Sequence, residues 1–225
     1  MKRIALIVLA GFLIGGCAVD QVSDFKKAEG AKNYAAIAGK KIDASCFADQ
    51  QISDECAQLT EMQGRACMNL AQQETAPNAA CPPPTDTARS HLQCAAQDFG
   101  AAVKGGGIAA SDLNDETEMR ARALYCGATL VSRADGLPNA REASRELDTL
   151  PANPQRDQLN AATQLYVANS DQLATSDRCA AAQAAVERAN RGLQSNPPAN
   201  IQQGLSDTRA HAISVAGQLN GCQIH

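Results

Sequence analysis

Along most of the 225-residue chain, apolar residues recur every three or four positions and strict alternation is nearly absent, which predicts helices throughout. After a short polar tether, Asp20 to Lys27, a first helix is expected from about Glu29 to Ala48. Ser53-Asp54 caps a second, with the stripe Leu59, Met62, Ala66 and Leu70. Pro77 and Pro82-Pro83-Pro84 stop it, because proline lacks the backbone donor a helix interior needs. Asp86 caps a third, carrying Ala88, Leu92, Ala95 and Phe99, and Gly105-Gly106-Gly107 ends it. Ser111 or Asp112 begins a fourth with Met119, Ala123, Cys126 and Leu130 on one face, closed by Asp135-Gly136. A shorter helix from Asn139 to about Leu147 precedes Pro151 and Pro154, and Asp157 to Leu173 continues through Leu159, Ala162 and Tyr166.

The clearest pattern comes last. Thr175-Ser176-Asp177 restarts the chain, and Cys179, Ala182, Val186, Ala189 and Leu193 then step by three and four until Pro197-Pro198. The partner segment repeats those steps through Ile201, Leu205, Thr208, Ala212, Val215, Leu219 and Cys222. Composition agrees with helices packed close together: alanine occurs 44 times, tryptophan never, and aromatics make up 3% of the chain. The fold expected is all-α, with antiparallel helix hairpins in series.

Two stretches give those hairpins a family likeness. In "ALYCGATLVSRADGLPNAREASRELDTLPANP", residues 123 to 154, Leu124, Gly127, Leu130 and Ala140 stand where a paired-helix repeat places its apolar, glycine and small positions, with one extra residue in the turn. In "AAAQAAVERANRGLQSNPP", residues 180 to 198, Ala185, Ala189, Gly192 and Pro197 keep the spacing of the second helix, although the preceding helix lacks the glycine. Both resemble the tetratricopeptide repeat, whose period is about 34 residues. The resemblance implies a stacked, curved array that binds peptide segments or other proteins.

The N-terminus carries a different signal. Lys2 and Arg3 precede an apolar run from Ile4 to Ile14, too short to cross a hydrocarbon layer of roughly 30 Å but right for a secretory signal. Ile14-Gly15-Gly16-Cys17 resembles the lipobox of bacterial lipoproteins. That resemblance implies a diacylglycerol thioether on Cys17, removal of residues 1–16, and acylation of the new amine. Ala18 after the cysteine implies the outer membrane, facing the periplasm. Several acyl chains, at about 0.8 kcal/mol per buried CH₂, hold a protein on a bilayer without a spanning helix. Three regions follow: a signal peptide (1–16), a lipidated N-terminus and tether (17–28), and an all-α domain (29–222). Without Lys2 and Arg3 the chain keeps 18 basic and 24 acidic residues, a net charge of −6, which argues against a nucleic-acid partner.

Nine cysteines less Cys17 leave eight, Cys46, Cys56, Cys67, Cys81, Cys94, Cys126, Cys179 and Cys222, and an even set in an exported chain reads as disulfides. No Cys-x-x-Cys pair offers a zinc or haem site, so neither metal nor cofactor is expected beyond the lipid. Consecutive pairing is the simplest arrangement for hairpins: Cys46 with Cys56, Cys67 with Cys81, Cys94 with Cys126, and Cys179 with Cys222. Cys67 with Cys94 is nearly as good, because the two are about equally far from the turn near residue 80. Cys179 starts one seam and Cys222 ends the facing one, so antiparallel packing brings them together if the last helix runs from about Leu205. A start at Ile201 makes the arms differ by about 10 Å, too much for a bridge that needs Cα atoms within about 7 Å.

Catalytic patterns are missing. His91, His211 and His225 form no metal-binding pair on one helix, and His91, three residues before Cys94, reads as an exposed helix residue. The run Asp112, Asp115, Glu116 and Glu118 reads as favourable dipole chemistry on a solvated helix start. Gly105-Gly106-Gly107 has neither the preceding strand nor the following Lys-Ser or Lys-Thr of a phosphate cradle. Tyr125 and Tyr166 read as edge-of-core tyrosines or as members of a concave ligand surface.

The resulting expectation is a membrane-anchored, non-enzymatic scaffold or assembly factor of a pilus, secretion or outer-membrane machine, with an envelope protein as partner. The alternatives are an envelope hydrolase or its regulator, and a purely structural envelope protein. Replacing Cys17 by Ala removes the only thioether acceptor, so radiolabelled palmitate is expected in the wild-type protein and not in the variant. Label in the variant would overturn the lipoprotein reading.

Overall fold

The computed structural model describes residues 14–43, 46, 53–77, 79–105 and 108–224. Most of the signal peptide, the side chain of Cys17, the end of the first expected helix, Gly106, Gly107 and His225 lie outside the described residues. Among those described there are nine helices and no strand: α1 (Ile14–Gly30), α2 (Tyr34–Ala38), α3 (Asp54–Gln73), α4 (Asp86–Gly105), α5 (Ala110–Thr129), α6 (Arg133–Thr149), α7 (Pro154–Ala168), α8 (Thr175–Gln194) and α9 (Ala199–Gly217). From α3 onward each helix packs on the one before and the one after, and α7 also meets α9. The result is a serial array of antiparallel hairpins with no single central core.

Helix ends follow local chemistry. Ser53, Ser132 and Asn153 each accept a bond from a backbone N–H three residues on, supplying an acceptor the first turn lacks. At α4 the cap is Thr85, whose hydroxyl accepts from Ala88 N–H at 3.0 Å, one residue ahead of the expected Asp86. Pro154 opens α7 at a position where the missing N–H costs nothing, so that helix starts three residues earlier than expected.

Three segments differ from the sequence reading. The expected tether at Asp20 to Lys27 is helical, because Ala18, Val22, Phe25 and Ala28 form a stripe that docks beside Leu59 and Met62 of α3. The single helix expected at 29–48 is interrupted: Lys32 turns the chain at φ 53°, Asn33 caps the five-residue α2, and Gly39 ends it. Asp135-Gly136 does not close the fourth helix but belongs to α6, which begins at Arg133 because the Ser132 hydroxyl both accepts from Asp135 N–H and donates to its carboxylate. Pro138 is accommodated inside α6.

Alanine makes the seams. Ala88, Ala95, Ala102, Ala121, Ala128, Ala140, Ala143, Ala161, Ala168, Ala182, Ala185, Ala189 and Ala212 are all fully buried. Helix axes therefore approach closely, with Phe99, Leu59, Leu92 and Leu205 as the larger fillers.

All eight expected cysteines are disulfide-bonded. Cys46–Cys56 and Cys179–Cys222 pair as expected, with Cα atoms 5.2 and 5.5 Å apart. The middle four do not pair consecutively: Cys67 bonds Cys94 and Cys81 bonds Cys126, at 6.0 and 5.3 Å. Cys67 and Cys94 face each other across the α3–α4 hairpin, the near-equal alternative. Cys81 lies in the loop at its tip, which reaches the last turn of α5, so its bridge goes to a helix outside the hairpin.

The last bridge forms although its helix starts early. Helix α9 starts at Ala199, ahead even of Ile201, yet the bridge closes because the helix ends at Gly217. The chain then folds back through Gly221, at φ 78°, and Cys222 N–H donates to Leu219 carbonyl.

Two helical glycines test how tight these seams are. A Cβ on Gly136 would run into the Tyr166 hydroxyl and the Ala128 carbonyl, whereas one on Gly127 meets nothing within 4 Å. Gly136→Ala is expected to destabilise by about 1 to 3 kcal/mol. Gly127→Ala is expected to stabilise by about 0.5 to 1 kcal/mol, through helix propensity. Urea denaturation of both variants checks the pair; equal effects of one sign would contradict this packing.

Candidate functional site

Two concave features among the described residues follow from the hairpin order. Where two helices flank a third without touching closely, the middle one becomes a floor. Between α4 and α6, over α5, lies a groove of about 610 Å³ with Gln93, Gln97 and Lys104 on one wall, Asn139 on the other, and Ala123, Leu124 and Gly127 as floor. One hairpin further on, α6 and α8 flank α7 in the same way, and that groove is again about 610 Å³. Arg141 and Arg145 line its first wall, Ala180 and Ala184 its second, with Gln164 and Val167 beneath. The first groove sets a floor of Ala123, Leu124 and Gly127 between amide and lysine side chains, and the second sets Arg141 and Arg145 opposite alanines, so each leaves room for a backbone and supplies hydrogen-bonding partners at an edge.

The helices that shape these grooves are fixed by polar links. Arg120 of α5 pairs with Glu142 and Glu146 of α6. Arg156 of α7 reaches back to Glu118 (2.7 Å) and Asp115 (3.1 Å) of α5, and Arg191 of α8 pairs with buried Asp157 of α7. Under the second groove, Gln164 donates to the Ser144 hydroxyl, Ser144 to the Asn160 carbonyl oxygen, and the Asn160 amide to Asp148, which also takes Arg188 at 2.9 Å. Tyr166 donates to Ala128 carbonyl at 2.9 Å and carries the Arg133 guanidinium 4.6 Å above its ring. It is therefore a core-edge tyrosine, and Tyr125 is packed beside Leu124 and Leu147 with burial raising its pKa.

Two buried carboxyls were not legible as such. Glu116, read as solvated, is 1% exposed. It faces α3, where Arg65 donates to its Oε1 from Nε (3.1 Å) and Nη2 (2.7 Å) and Glu61 shares the same arginine. Burial pushes Glu116 up to about 7 against the opposing pull of Arg65. Asp98 of α4 lies against the Cys67–Cys94 bridge, its Oδ2 3.3 Å from Cys94 Sγ, and burial pushes it up to about 7. Its position one turn after Cys94 was the available signal. The two sulfurs and this carboxyl lie within 4.8 Å of one another, but sulfurs bonded to each other offer no thiolate to a metal.

His91 and His211 lie on different helices, α4 and α9. His91 is half-buried rather than exposed, since its Nδ1 meets Glu74 Oε1 at 3.1 Å across the α3–α4 hairpin; His211 is exposed on α9. Asp112 and Asp115 are exposed as expected, Asp115 at 76%, whereas Glu118 is largely covered, its side chain 17% exposed and held by Arg156.

No family model matches the chain, and no curated protein matches it. Among solved structures it is similar to a yeast protein described as the histone chaperone Hif1, a scaffold protein recruiting protein complexes to core histones. The TM-score is 0.47 and the identity 13%, over 94% of this chain and 98% of that one. Likeness at that level carries no argument about what this chain does.

Asp98 and Glu116 make stability depend on pH. Each has a folded value near 7 against an unfolded value near 4, so between those limits the folded chain holds protons that the unfolded chain releases. Their contribution is complete below about pH 4 and is lost as pH rises through about 7. Melting temperatures are expected to fall over that window and to flatten in the double variant Asp98→Asn, Glu116→Gln. An unchanged slope in the double variant would contradict the assignment.

Proposed function

We propose that this chain is a non-enzymatic protein-binding scaffold of the bacterial cell envelope, held on the outer membrane through lipid on Cys17. The observation that carries the binding part is the pair of equal grooves, one hairpin apart, built on the same plan. The occupant proposed is an extended segment of an envelope protein. The tetratricopeptide-like spacing of Leu124, Gly127, Leu130 and Ala140 supports the same reading, since it falls across α5 and α6, the helices that form the floor and one wall of the first groove. Ala123 and Gly127 in the floor of the first groove suit close approach by a peptide backbone, and the amides of Gln93 and Gln97 suit its carbonyls. The eight cysteines in disulfides suit an oxidising compartment.

Site-specific photo-crosslinking in intact cells tests this. A photoreactive residue at Gln97 is expected to give one discrete adduct, and one at exposed Gln203 on α9 none. The adduct should disappear in Gly127→Leu, which fills the groove floor at a position where an added Cβ meets nothing within 4 Å. Adducts at both positions alike, or at neither, would refute the groove as the binding site.

A further inference from the structure

Of the four disulfides, Cys67–Cys94 is the one with a buried acid against it. Asp98 is 9% exposed, and among the described residues its carboxyl has no hydrogen-bond or ion-pair partner other than the sulfur of Cys94, 3.3 Å away. A disulfide sulfur carries no hydrogen, so this contact is a hydrogen bond only if Asp98 supplies the proton and donates to Sγ. A buried carboxylate with no donor facing it would be strongly disfavoured, which makes the protonated form the stable partner of the oxidised bridge. The value of about 7 reached through burial agrees. Cys94 is partly exposed while Cys67 is 1% exposed, so an external thiolate reaches Cys94 and the buried sulfur is the leaving group. Asp98 lies within 4.8 Å of both sulfurs.

We propose that Cys67–Cys94 is a thiol-exchange site, with Asp98 as the proton donor to the departing Cys67 thiolate and an external dithiol as the co-reactant. The attacking thiolate bonds to Cys94 Sγ, the Sγ–Sγ bond breaks, and its electron pair leaves on Cys67, which takes the Asp98 proton. The second thiol of the reductant, losing its proton to solvent, then attacks the sulfur of its own chain. The dithiol is oxidised to a cyclic disulfide, and Cys94 leaves as a thiolate that takes a proton from solvent. Asp98, now ionised, accepts the new Cys94 S–H. Two electrons pass from the dithiol to the bridge, and reoxidation runs the same steps backwards. A thiolate is a better leaving group when a proton is in place, and the proton here is stored by the fold itself.

The test is timed reduction of the purified protein with dithiothreitol, followed by alkylation and peptide mapping. Cys67 and Cys94 are expected to be labelled before any other pair, about tenfold slower in Asp98→Asn. Infrared difference spectra of oxidised against reduced protein should show a protonated-carboxyl band in the oxidised form that is lost on reduction and absent from Asp98→Asn. Reduction of any of the other three bridges as fast as Cys67–Cys94, or no carboxyl band in the oxidised-minus-reduced spectrum of the wild type, would overturn the proposal.

Discussion

The closeness of alanine-lined helix seams governs the rest of this structure. A seam of alanines brings two backbones near each other but removes little apolar surface per residue from water, so each interface is tight and weakly stabilised at once. The fully buried large apolar side chains are few, among them Phe25, Phe99, Ile37, Leu59, Leu92 and Leu205, and they are spread over several interfaces. Something other than hydrophobic mass must hold the hairpins in register.

Covalent and polar crosslinks share that task along the chain. Disulfides tie α3 to the segment before it, to α4, and the hairpin tip to α5; another closes the C-terminal pair. Helices α6 and α7 carry no cysteine, and there arginine pairs and the Ser144, Asn160, Gln164 and Asp148 network cross between helices instead. Each disulfide is worth about 2 to 4 kcal/mol, comparable with a large share of a domain's total stability. A frame fixed in this way holds both grooves: the walls of the first are tied to its floor helix, and those of the second also to each other through Arg188 and Asp148. Cys94 and Asp98 sit on the same helix as Gln93 and Gln97, so the proposed exchange site lies behind a groove wall.

The sequence made the helices after residue 53 readable because their apolar stripes are regular and their start signals, Ser53, Asp86 and Thr175, lie at the boundaries or within a residue of them. It misled where a residue has two uses. Asp135-Gly136 looks like a stop, but the Ser132 cap upstream makes it a first turn, and Gly136 is needed for the approach of Tyr166. Glu116 sits in a run of surface acids, and nothing local announces that Arg65, fifty-one residues earlier, will cover it. The middle disulfides depend on where a proline-rich loop lands, which is tertiary information. The grooves are likewise a product of helix order and not of any motif.

Urea unfolding of the oxidised protein beside the fully reduced, alkylated one tests most directly whether alanine seams need covalent support. With four disulfides contributing about 2 to 4 kcal/mol each, the reduced protein is expected to lose most of its helical circular dichroism in little or no urea. Superimposable unfolding curves for the two forms would contradict it.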